Sequence, residues 1–156
     1  MVLKDAVNDF LAQERIAVAG VSRSSGQAAN IVYKRLRDRG YTVFAINPNA
    51  EEVEGDPCYP DLKSIPQAPD AVVVATTPAV AEQIVEDCAQ LGIQRVWLHR
   101  SFGKGSVSPK ATAYCQERNI NAIAGGCPLM FGKTADIPHK CMRGMLKLTG
   151  RLPREA

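Results

Sequence analysis

The sequence offers little to a metal ion. Its only histidines are His99 and His139, and its five cysteines, at 58, 88, 115, 127 and 141, form neither a C-x-x-C pair nor any zinc-ligand spacing. Cysteines so scattered predict reduced thiols and a cytoplasmic protein. No run of about 18 apolar residues occurs, so no membrane span is expected. The stretch MVLKDAVNDFLAQE mixes charges into its apolar positions and lacks the hydrophobic segment of a signal peptide. A large excess of one charge is missing too. With 19 basic and 16 acidic residues the net charge is +3, too small for a general nucleic-acid surface yet compatible with an anionic small ligand.

What is present suits one compact domain over residues 1–156, because 156 residues at 46% hydrophobic content can bury a substantial core. Residues 2–13 carry Val2, Ala6 and Phe10 at helical spacing. Apolar runs then alternate with helical patterns: IAVAGV before a helix over 27–39, TVFAINP, AVVVATT before a helix over 78–91, RVWLH before a helix over 109–118, and INAIAG before a final helix. This order predicts an α/β fold, a doubly wound, mainly parallel, five- to six-stranded Rossmann-like sheet with helices on both faces. Thr77 before Pro78 and Ser108 before Pro109 are N-cap signals, and Gly40 and Gly92 stand where helices end. Four prolines between Asn47 and Pro69 predict an irregular crossover with a minor strand near 52–53 and a helical turn over 61–65. The tail predicts a basic helix within 133–150. Its charges include Lys133, Lys140, Arg143, Lys147, Arg151 and Arg154, and its apolar stripe is Ile137, Cys141, Met145 and Leu148.

In such a sheet every parallel strand ends on one rim, where ligands bind. Five loops are thereby nominated: GVSRSSG, NPNAEE, TTPA, HRSFGKGS and GGCPLMFG. In the first, the hydroxyls of Ser22, Ser24 and Ser25 and the N–H groups opening the next helix favour a phosphate, although the G-x-G-x-x-G spacing of a dinucleotide fingerprint is absent. The second strand ends in Asn47 and Pro48 where an NAD site wants an acid, and no arginine between Arg39 and Arg95 is available for NADP.

Taken in order, these loops resemble the CoA-binding domain family, the Rossmann-like module found alone in small bacterial proteins and at the front of the succinyl-CoA synthetase α subunit. The resemblance covers residues 14–131. It rests on Gly20, Ser22 and Gly26 of the first turn, on Asn47 and Pro48, on GDPCYPDLKSIP, on TTPAVAEQIVEDCAQLGI, on the strand holding Trp97, and on GGCP. It implies CoA or an acyl-CoA as ligand. Ser22, Arg23 and Ser25 would then meet phosphates, Asn47 and Pro48 would lie beside the nucleotide, and Thr76, Thr77 and Pro78 would follow the adenosine or pantetheine. Two positions depart from the family pattern. Arg23 replaces the middle glycine and can itself supply positive charge, while NAEE replaces a lysine; the negative stretch EEVEGD disfavours a 3′-phosphate on that side, which leaves dephospho-CoA or another adenine nucleotide open as the ligand.

The strand order puts Cys127 on the same rim, where a thiol can face the CoA sulfur or act as a nucleophile. His99 also ends a strand there, with no orienting carboxylate evident in the sequence. A binding protein without catalysis is therefore expected. The alternatives are a small NAD(P)-linked oxidoreductase, a Cys127 thiol enzyme, or a partner-binding protein that uses its basic tail, with a homodimer as one way to employ the last helix.

Overall fold

The computed structural model describes residues 1–101, 103–132 and 135–153. Strands β1 (Arg15–Ala19), β5 (Ala71–Val74) and β6 (Arg95–Leu98) are apolar runs closed off from solvent along almost their whole length. Such runs form central parallel strands, because helices cover both sheet faces. β2 (Thr42–Ile46), β3 (Glu52–Val53), β4 (Asp56–Tyr59) and β7 (Asn121–Ala124) complete a seven-stranded sheet in the order β3-β4-β2-β1-β5-β6-β7. Every neighbouring pair is parallel except β3 with β4.

Side-chain alternation along the strands builds two cores. In β6, Val96 and Leu98 turn toward α3 (Pro78–Gln90) and α4 (Pro109–Glu117), meeting Ala81, Val85, Cys88, Ala111 and Cys115. Trp97 turns the other way, into the layer of α1 (Leu3–Leu11), α2 (Ala28–Asp38) and α5 (Ile137–Leu148). Starting from β1, the chain builds outward through β2 and β4, then returns and builds outward through β5, β6 and β7. The two halves part between β1 and β5, which makes the rim there the switch point of the fold.

Helix punctuation follows the sequence. Thr77 accepts from Val80 N at 3.5 Å and Ser108 from Ala111 N at 3.3 Å, each followed by proline in the first turn. The minor strand expected near 52–53 is β3, and the expected turn is a short 3₁₀ helix at Leu62–Ser64, capped by Asp61 at 2.8 Å. The strand count is higher than the expected five to six. β4 lies inside the proline-rich crossover and has no apolar run, because Cys58 alone among its residues is buried and Pro57 interrupts it. The expected basic tail helix is α5, while Lys133 and Arg154 lie outside the described residues.

The C-terminal turn of α1 is seated on the sheet by an aromatic contact. Phe10, 1% exposed, meets Trp97 edge-on with ring centroids 5.3 Å apart. Phe10→Ala is expected to cost about 3–5 kcal/mol, read as a lower urea midpoint at unchanged m-value.

Candidate functional site

β1 hands the chain to the first loop at Gly20, whose φ of +100° favours glycine. A Cβ here would overlap the Ala75 carbonyl oxygen. The close approach that this glycine permits is thus between the first loop and the loop after β5, not toward open ligand space. Past it, Asn30 reaches back from α2. Fully buried, it accepts from Ser22 N at 2.9 Å and donates to Ser22 O at 2.7 Å and to Glu54 Oε1 at 2.8 Å. The Asn30 bond is the main cause that lowers the Glu54 carboxyl below its usual range. Sequence reasoning missed Asn30; its one signal is a polar side chain on the buried face of an otherwise apolar helix stripe.

The loop hydroxyls have defined partners. Ser22 Oγ accepts from Ser24 N at 3.0 Å, and Ser25 Oγ accepts from Lys34 Nζ at 3.1 Å. Arg23 is exposed and makes no ion pair among the described residues. Gln27 gives α2 no side-chain cap. The first N–H groups of a helix have no intrahelical acceptor, so this end presents donors toward the rim.

Two further side chains fix the neighbouring loops. Asn47 donates through Nδ2 to Val21 O at 2.8 Å and accepts from Asn49 N at 2.8 Å, tying the second loop to the first. Ser106, fully buried, accepts from Thr76 N and donates to Thr76 O, both at 2.8 Å. The long loop after β6 thereby holds the loop after β5.

Between these loops lies a crevice of about 310 Å³. Of the residues nominated from the sequence, Gly20, Asn47, Pro48 and Thr76 line it. Thr77 and Pro78 open α3 between two lining positions, Thr76 and Val80. Ser22, Arg23 and Ser25 belong to the first loop outside the lining. The walls are Ile46, Leu62, Val80 and Ile84, with Asp61, Gln83 and Asp87 as the polar groups on the α3 side. The bonds from Ser64 hold the Asp61 carboxyl below its usual range.

The structure does not bring Cys127 to this crevice. It is 1% exposed in the core beneath α5, because the turn at Pro128–Met130 carries its side chain inward, and burial pushes the thiol up to about 12. His99 is also buried, at 7% exposure, with Ser101 Oγ 3.4 Å from its Nε2. Burial first, then the nearby His139, push it down to about 4. The carboxylate that the sequence left unseen belongs to His139, whose Nδ1 lies 2.5 Å from Asp136 Oδ1.

A histidine kept neutral in the fold but free to protonate when unfolded lowers stability as pH falls, since the unfolded chain then binds the extra proton. From pH 6.5 down to about 4, His99 is expected to remove up to about 3 kcal/mol. Urea titrations of wild type and His99→Asn across that window should differ in slope, the variant losing less.

A family model described as a CoA binding domain matches residues 14–133. The ADP-forming acetate–CoA ligase II of Archaeoglobus fulgidus is 28% identical over 120 residues, 76% of this chain and 17% of the ligase. The chain therefore spans about a sixth of the length of that relative. An uncharacterized Bacillus subtilis protein, YneT, is 34% identical over 118 residues, 73% of this chain and 82% of its own. Among solved structures, a hypothetical protein from Pyrococcus horikoshii gives a TM-score of 0.74 at 28% identity, with 81% of this chain and 86% of that one covered.

Proposed function

The chain belongs to the CoA-binding domain family, and on that premise we propose that it binds CoA or an acyl-CoA, held by its adenine nucleotide at the carboxy-terminal rim of the sheet. The observation that carries this is the crevice at the β1/β5 switch point, an apolar slot with hydrogen-bond acceptors on one side. Its volume of about 310 Å³ is at the small end of the ~300–1,000 Å³ usual for ligand sites, which suits the nucleoside end of CoA rather than the whole molecule. A flat base lies between Ile46, Pro48, Leu62 and Val80, while Asp61, Gln83 and Asp87 accept from its amine or from ribose hydroxyls.

Those carboxylates repel phosphate, so the diphosphate lies over the first loop. There Ser22, Ser25 and Arg23 stand beside the uncapped start of α2, with Lys34 behind Ser25, where its ammonium neutralises Glu54 at 3.5 Å. Asn47 and Thr76 keep the loops in place around it, and Thr77 and Pro78 flank the pantetheine path. The site binds without chemistry in this reading: a thiol at about 12 stays protonated at neutral pH, and Cys127 is walled off from the crevice.

Native mass spectrometry of freshly purified protein is expected to retain CoA, and calorimetry should rank CoA and dephospho-CoA above NAD and NADP. Preference for NAD over every CoA species would sink the proposal. Val80 is 48% exposed on the crevice wall, so Val80→Trp should fill the slot and weaken CoA binding more than about tenfold while Tm holds. Arg23→Ala should weaken binding by about 1.5–3 kcal/mol, equally for CoA and dephospho-CoA, since the diphosphate is common to both.

A further inference from the structure

We propose that α5 is a docking face for an acidic amphipathic helix of another protein. The helix already spends one side on the fold: Leu146 is 1% exposed and Met142 packs on the same core. A second apolar stripe has nothing against it among the described residues. Ile137 is 77% exposed, Met145 58% and Leu148 90%, and Cys141 is exposed between them. Positions 137, 141, 145 and 148 follow helical spacing, so they form one continuous band. A surface helix ordinarily carries a single such band, facing its own core. Gly144 lies beside it with open space where a side chain would stand, which lets a second helix approach closely.

Charge says what that second helix is. Lys140 and Lys147, seven residues apart, run along one flank of the stripe, with Arg143 beyond them stacked over Phe131 at 4.6 Å. Arg143 and Lys147 also line a groove of about 350 Å³ against the Gly150 to Pro153 tail. None of the three has an ion-pair partner among the described residues. The one acid from 135 to 153 is Asp136, and it is engaged by His139 and Arg35. A stripe with cations along a single flank matches an apolar stripe with carboxylates along a single flank.

A second copy of this chain fits less well, because a two-fold antiparallel pair of α5 helices sets Lys140 and Lys147 against themselves. A lipid surface fits less well too, since the stripe has no aromatic residue and the cations lie to one side only. α5 also lies beyond residues 14–133, the span that the family model matches.

The probe is a synthetic helix-forming peptide with a leucine stripe and glutamates along one flank, added to the intact protein. It should bind with an affinity that falls as salt rises, and it should slow iodoacetamide alkylation of Cys141, the one exposed cysteine. Leu148→Asp and Lys147→Glu, both at exposed positions, should each weaken binding at least about tenfold while CoA affinity stays as in wild type. Equal binding of the same peptide with lysines for glutamates would overturn the proposal. So would an unchanged alkylation rate, a preference for phosphatidylglycerol vesicles over the peptide, or a dimer in sedimentation that shields Cys141.

Discussion

At the switch point the backbone of the first loop presses against the backbone that follows β5, with Gly20 beneath the carbonyl of Ala75. β1 and β5 are paired neighbours, yet the chain leaves them for helices on opposite faces of the sheet. Only a residue without a side chain allows the two exits to touch before they diverge. Three side chains then hold the other rim loops around that contact. Asn30 sets the first loop on α2, Asn47 sets the second loop on the first, and Ser106 sets the loop after β6 on the one after β5. All three act on main-chain atoms, and among the described residues no buried side-chain nitrogen or oxygen is left unpartnered. The rim loops are therefore held in place by the chain's own bonds, and a ligand seated there as proposed would meet a low ordering cost.

Charge divides the rim in two. Carboxylates face the crevice from the 3₁₀ turn and α3, whereas main-chain donors, hydroxyls and Arg23 gather at the first loop and the start of α2, where Lys34 balances the one nearby carboxylate, Glu54. The proposed ligand is divided in the same way, neutral and aromatic at one end and anionic at the other.

Much of this was legible in the sequence, because the governing signals are local. Buried apolar runs mark the central parallel strands, and Thr77 with Pro78 or Ser108 with Pro109 marks a helix start through chemistry confined to one turn. The four nominated residues that line the crevice were reachable because strand order alone sends their loops to one rim. What stayed hidden depends on the third dimension. β4 has no apolar period, and its two-residue link to β3 is Glu54-Gly55, both at positive φ, rather than the commoner Asn-Gly. Cys127 was placed on the right rim but not on the right side of it, since its direction is set by a turn that comes after it. Asn30 reads as one more helix residue until Ser22 and Glu54 are brought against it.

The Glu54-Gly55 turn has a consequence for the whole sheet. It folds β3 back for only two residues, antiparallel to β4, with Glu51 and Glu52 at its outer end. An unfinished parallel sheet normally ends in a row of open hydrogen-bonding groups that another chain can join. Here that row is cut to a stub and given negative charge, so growth of sheet upon sheet is blocked on this side. The hairpin that steadies Asn30 through Glu54 thus also leaves another chain no long strand to join on this side.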